Sequence, residues 1–133
     1  MADTRPRVLL IEDDALDQSL FRRTLAKTQA DIVCVSRLGE GLERLAQDRF
    51  DLVVSDLGLP DSEWEETYAR LKDASAATPV VLITGHEDFV EELGRRQPKP
   101  LVFLKSEVHH DIFPLLALGR MLEHLLDAEQ SEA

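Results

Sequence analysis

The chain has 133 residues, room for one domain and too little for two ordinary ones, and its 44% hydrophobic content supplies a normal core. Asp and Glu outnumber Lys and Arg by 26 to 15, a formal charge of −11, and the largest basic cluster is Arg95, Arg96 and Lys99, so neither nucleic-acid phosphates nor an anionic membrane finds a matching patch. The single cysteine, Cys34, excludes an internal disulfide and a cysteine-based zinc site, and no apolar run reaches the roughly 18 residues that a membrane helix needs.

Short β-branched runs alternate with longer helical stretches. Val8–Ile11 is wholly apolar, as a strand covered on both faces of a parallel sheet should be. Leu16, Leu20 and Leu25 follow at helical spacing, with polar Gln18, Arg22, Arg23 and Lys27 between them. Ile32–Val35 reads as a second strand with Cys34 in the core, and Leu38, Leu42 and Leu45 mark a second helix. Leu52–Val54 is a third strand ending at Ser55-Asp56; Leu57-Gly58-Leu59-Pro60-Asp61 is turn material before a helix from about Glu63 to Lys72. Pro79–Thr84 is the fourth strand, Glu87–Arg96 a short helix closed off by Pro98 and Pro100, and Leu101–Leu104 the fifth strand. Asp111 then N-caps a last helix, with Pro114 in its first turn, that runs to about Asp127. Strict alternation predicts one α/β domain over residues 7–127: a doubly wound parallel sheet with right-handed crossovers and helices on both faces. Residues 1–6 and 128–133 are expected to be flexible termini.

Ligands of an open parallel sheet bind at the carboxyl ends of its strands. Those ends carry Glu12-Asp13-Asp14 after the first strand, Asp56 on the third, Thr84-Gly85 on the fourth and Lys105 on the fifth; Ser36, after the second, adds nothing comparable. Any one acidic loop residue is ordinarily solvated surface. Several of them converging on one edge are another matter, because carboxylates about 4 Å apart repel by roughly 4 kcal/mol per pair at an effective dielectric near 20. Such a cluster calls for a cation, and an all-oxygen donor set suits Mg²⁺ and not zinc or copper.

Val8-Leu9-Leu10-Ile11-Glu12-Asp13-Asp14, Val53-Val54-Ser55-Asp56-Leu57-Gly58-Leu59-Pro60-Asp61, Val81-Leu82-Ile83-Thr84-Gly85 and Phe103-Leu104-Lys105, in that order, resemble the receiver domain of two-component response regulators. The resemblance spans about residues 7 to 127 and implies a flavodoxin-like sheet of strand order 2-1-3-4-5. It also implies a phosphorelay protein that takes a phosphoryl group from a sensor histidine kinase or phosphotransfer protein, with no catalysis beyond phosphorylation and dephosphorylation of itself. Carried over by position, Asp56 is the phosphoacceptor, and Asp13 and Asp56 coordinate Mg²⁺ (or Mn²⁺) directly. Glu12 acts through a metal-bound water, and the Gly58 backbone carbonyl supplies a third protein ligand. Thr84 is the switch hydroxyl, Lys105 the ion-pairing lysine, and Gly85 leaves room beside the phosphoryl group. Three carboxylates, Mg²⁺ and Lys105 sum to zero charge. Asp14 is read as solvated or as capping the first helix.

The chain departs from the family pattern at several places. Trp64 stands where a glycine is common and either alters the loop beside the site or docks on a neighbour. Ser106 follows the lysine in place of proline or glycine, and Val102 stands where many members carry a Tyr or Phe that changes rotamer. The stretch from Thr84 to Lys105 is about one residue short. His86, two residues past Thr84, borders the site and is a candidate modulator of dephosphorylation, together with Gly85 and Trp64, whereas His109-His110 shows no metal-binding pattern. The last helix carries one apolar row at Ile112, Leu115, Leu116, Leu122 and Leu126 and a second set at Leu118, Met121 and Leu125, which fits either a deep groove that buries both sets or a homodimer patch. The alternative function is a phosphate-independent adaptor of the same fold. An aspartate-nucleophile phosphohydrolase would want an acid where Gly58 stands, and a flavin module would want a Ser/Thr-rich phosphate loop after the first strand. With no signal-peptide stretch at Met1–Arg7, the expected location is cytoplasmic.

Overall fold

The computed structural model describes residues 5–26, 29–75 and 78–106. Its elements alternate without exception: β1 (Arg7–Ile11), α1 (Ala15–Ala26), β2 (Asp31–Val35), α2 (Leu38–Gln47), β3 (Leu52–Asp56), α3 (Trp64–Ala74), β4 (Val80–Thr84), α4 (Glu87–Gly94) and β5 (Leu101–Leu104). The five strands form one sheet in the order β2-β1-β3-β4-β5, and every neighbouring pair is parallel. Both the fold class and the strand order expected from the sequence are therefore found. The last helix with its two apolar rows, the cap at Asp111 and the pair His109-His110 lie outside the described residues.

The continuous apolar runs are resolved by the pleat. Successive residues of β1 point to opposite faces, so Val8 and Leu10 join one core layer while Leu9 and Ile11 join the other. The first layer is closed by Phe21 and Leu25 of α1, with Leu52, Val54, Val81 and Ile83 from the inner strands. The second lies under α2, α3 and α4, which contribute Leu38, Leu71 and Leu93. Each fully buried Leu, Ile or Phe adds about 1.5–3 kcal/mol relative to exposure, so the three central strands anchor the fold. Edge strand β2 is only partly buried, and Cys34 on it packs against the first core layer while staying partly exposed.

Helix α1 corrects one reading. Leu16 is 69% exposed, and the core-facing residues are Phe21 and Leu25, four apart on one face. Leu16 sits in the first turn of α1. Helix α4 stops at Gly94, two residues before the expected end, and Arg95 to Pro100 cross to β5 without helical structure.

The turn after β3 is built to hold a carboxylate in place. Leu59 and Ser62 exchange two backbone hydrogen bonds, 3.1 and 3.2 Å, across Pro60-Asp61. Thr67 of α3 braces this turn from below, its hydroxyl donating to the Leu57 carbonyl at 2.9 Å and lying 2.8 Å from Ser62 Oγ. Asp61 thereby projects toward α2, whose own N-cap residue, Arg37, makes no side-chain capping bond. Asp61 Oδ1 accepts the Leu38 N–H at 2.8 Å and Oδ2 the Gly39 N–H at 2.9 Å. One loop therefore caps a helix that lies earlier in the chain, satisfying donors that would otherwise be orphaned. These two backbone N–H groups hold the Asp61 carboxyl below the usual aspartate range.

Candidate functional site

Four strand ends converge where the strand order reverses, between β1 and β3. Glu12 and Asp13 follow β1, Asp56 closes β3, Thr84 closes β4 and Lys105 follows β5. Glu12 and Asp56 are buried and Asp13 is exposed, and one carboxylate oxygen from each lies within 4.8 Å of the others. Lys105 reaches into this cluster. Its Nζ lies 2.8 Å from Asp56 Oδ2, 2.9 Å from Glu12 Oε1 and 2.8 Å from Asp17 Oδ2. One ammonium thus ties the end of β5 to the ends of β1 and β3 and to the first turn of α1.

The electrostatics follow from burial. Burial pushes the Glu12 carboxyl up to about 9; the adjacent Asp56 adds to the rise and Lys105 opposes it. For Lys105, burial alone favours the neutral amine, but bonds to Asp17, Asp56 and Glu12 outweigh it and hold the ammonium above the usual lysine range. Glu12 Oε2 is buried with no hydrogen-bond partner among the described residues. An orphaned buried oxygen at the centre of an all-oxygen cluster is what a hard divalent cation, or water bound to one, would satisfy. The residues therefore fit Mg²⁺ and not a soft metal.

Asp56 is fixed by its own backbone neighbourhood, since Oδ1 accepts the Gly58 N–H at 3.2 Å. Thr84 is buried, and its Oγ1 accepts the His86 N–H at 3.1 Å, which leaves the hydroxyl hydrogen to be donated elsewhere. A Cβ built at Gly58 or at Gly85 would meet nothing within 4 Å, so both glycines leave open space beside the acceptor. Asp14 caps α1 by accepting the Asp17 N–H at 3.0 Å. Val102 packs in the second core layer.

Trp64 opens α3 and packs within the chain. Its ring stacks on Phe89 of α4, centroids 5.0 Å apart and planes inclined by 20°, and the His86 ring lies 4.9 Å from Phe89. These three rings share a cavity of about 670 Å³ with Asp56, Gly58, Thr84, Gly85 and Lys105.

Every residue singled out at the strand ends is thus found at one edge, and Glu12, Asp13, Asp56 and Lys105 form one cluster. Asp17 is the contact that the sequence reading missed. It stands in the first turn of α1, whose N-terminal end follows directly on the Glu12-Asp13-Asp14 run.

The model of the response regulator receiver domain family matches residues 8–96. The transcriptional regulatory protein GlrR of Escherichia coli (strain K12) is 25% identical over 111 residues, 84% of this chain and 25% of that one. Among solved structures, the signal receiver domain of an HD domain-containing protein from Pseudomonas fluorescens Pf-5 superposes with a TM-score of 0.79 at 23% identity, covering 98% of this chain and 96% of that one. The response regulator TrrA from Thermotoga maritima, in complex with Mg²⁺ and BeF, gives 0.74 at 18% identity over 88% and 98%. The two structural likenesses speak for the fold alone. The family match extends over most of the chain, and the chain belongs to the response regulator receiver domain family. It spans well under half the length of the curated relatives it matches, for example 25% of GlrR and 39% of CrdR from Helicobacter pylori. Among the described residues, no helix is long and apolar enough to cross a membrane.

Proposed function

We propose that the chain is a phosphoacceptor receiver in which Asp56 takes a phosphoryl group from a phosphohistidine of a sensor histidine kinase or phosphotransfer protein, in a Mg²⁺-dependent reaction. The observation that carries this reading is the Asp56 carboxylate, buried at a strand end, held 2.8 Å from the Lys105 ammonium and inside the Glu12–Asp13 cluster. Asp13 and Asp56 would hold the cation with the Gly58 carbonyl, and Glu12 would hold it through water, which gives Glu12 Oε2 its missing partner. A bound Mg²⁺ supplies positive charge for the oxygens of the transferring phosphoryl group. Lys105 supplies a second positive charge to the same oxygens, and the Thr84 hydroxyl donates to one of them. Asp56 is oriented for attack by its bond to the Gly58 N–H. Catalysis is confined to the chain's own Asp56, through the gain and hydrolysis of its phosphoryl group.

Incubation with acetyl phosphate and Mg²⁺, read on a phosphate-affinity gel, tests the assignment. A single retarded band is expected, lost with chelator and in Asp56→Asn. A band that persists in Asp56→Asn would overturn it.

A further inference from the structure

The acceptor chemistry needs carboxylates, a cation, a hydroxyl and an ammonium; it does not need aromatic rings. Yet the cavity above Asp56 has an aromatic wall, with Trp64 stacked on Phe89 and the His86 ring beside it. We infer that the Trp64–Phe89 stack is a binding wall for the leaving group of the phosphoryl donor, which favours a neutral aromatic ring such as imidazole over a small charged carboxylate. The inference rests on the phosphoacceptor reading of Asp56 and adds donor selectivity to it.

Geometry places the leaving group at this wall. In phosphoryl transfer the attacking and departing atoms lie roughly in line on opposite sides of phosphorus. Asp56 is 8% exposed, whereas His86 is exposed and Trp64 and Phe89 are partly buried, so the rings are the more accessible part of the lining that they share with Asp56. A group leaving away from Asp56 therefore moves toward the rings. There a planar apolar ring gains stacking or edge-to-face contact. Exposed Glu63 also lines the cavity and repels a departing anion.

The step balances without a further reactant. An Asp56 Oδ–P bond forms as the donor's P–N bond breaks, and the ring nitrogen keeps the electron pair. With its second nitrogen already protonated, the ring departs as neutral imidazole. With an acyl phosphate, the P–O bond breaks and acetate departs with its negative charge, gaining nothing from the wall.

The test compares initial phosphorylation rates with phosphoimidazole and with acetyl phosphate, Mg²⁺ present in both, in wild type, Trp64→Leu, Trp64→Phe and Phe89→Leu. Loss of folded protein scales both rates together, so the readout is their ratio. Trp64→Leu and Phe89→Leu are each expected to lower the imidazole-to-acetyl ratio about 2- to 12-fold, the worth of one aromatic contact, and Trp64→Phe to restore most of it. Ratios equal to wild type in both leucine variants, with Asp56 still labelled, overturn the wall and leave the acceptor reading standing. Labelling of the wild type by neither donor overturns the acceptor reading, and the wall falls with it.

Discussion

Lys105 Nζ stands 2.8 Å from Asp56 Oδ2 and is itself only 19% exposed, so the cation belongs to the folded site and not to the surface. It faces three carboxylates at once, Asp56, Glu12 and Asp17. Removing it takes away the ammonium that bonds all three of these side chains. Lys105→Met is expected to cost about 2 kcal/mol in the absence of divalent metal, in the range for a charged hydrogen-bonding group that is partly buried. Urea unfolding of the chelated protein measures it. A variant as stable as wild type would mean that the three bonds contribute nothing.

Divalent metal should stabilise the native state by mass action. At a concentration 100 times its dissociation constant, Mg²⁺ adds about 2.7 kcal/mol, seen as a rise in melting temperature. Asp13→Ala should remove most of that rise without weakening the metal-free protein, because the substitution deletes a like charge beside Glu12 and Asp56. A wild-type melting temperature indifferent to millimolar Mg²⁺ would speak against the metal site.

The cap supplied by Asp61 gives a pH-dependent contribution with a defined sign. Its carboxyl is held below the usual aspartate range by the Gly39 and Leu38 N–H groups, so the folded state binds its proton less readily than the unfolded state does. The stabilisation is present above the unfolded pKa and is lost as pH falls through the lower folded value. Asp61→Ala is expected to cost about 0.5–1 kcal/mol at pH 7, the low end for an exposed cap. The difference from wild type should shrink as the solution is acidified below about pH 4. Paired unfolding curves at pH 7 and pH 3 check it; a gap of equal size at both would exclude the cap.

Gly41 of α2 faces Ile11 of β1. A Cβ there would collide with Ile11 Cδ1 and sit 2.9 Å from Ile11 Cγ1, inside contact distance. Gly41→Ala should therefore destabilise by about 1–3 kcal/mol despite the better helix propensity of alanine. Ile11→Val, which deletes Cδ1, should relieve part of that loss in the double variant. Additive losses in the double-mutant cycle would show that the two side chains do not collide.

How much of this was legible beforehand depended on whether the cause was local. The apolar runs of β1, β3 and β4 and the polar residues that close them are adjacent in sequence, so strands, order of elements and the strand-end residues could be read directly. Helical spacing marked α1 but not which of its residues are buried: Leu16 is exposed, and Phe21 and Leu25 take the core positions. Asp17 showed only a weak signal, its place in the first turn after the acidic run, because its role exists only once Lys105 arrives from β5. The Asp61 cap on α2 and the Trp64–Phe89 stack join residues 22 to 25 apart across separate elements, and no local pattern announces them. Trp64 was conspicuous as a departure from the family pattern, but its partner was not.

The most direct test of the account is the position of the phosphoryl group. Protein treated with acetyl phosphate and Mg²⁺ can be reduced with borohydride, which converts an aspartyl phosphate to homoserine, and then digested and sequenced by mass spectrometry. Homoserine is expected at position 56, with aspartate at positions 13, 14 and 17. Aspartate intact at position 56, with the modification at another residue, would contradict it.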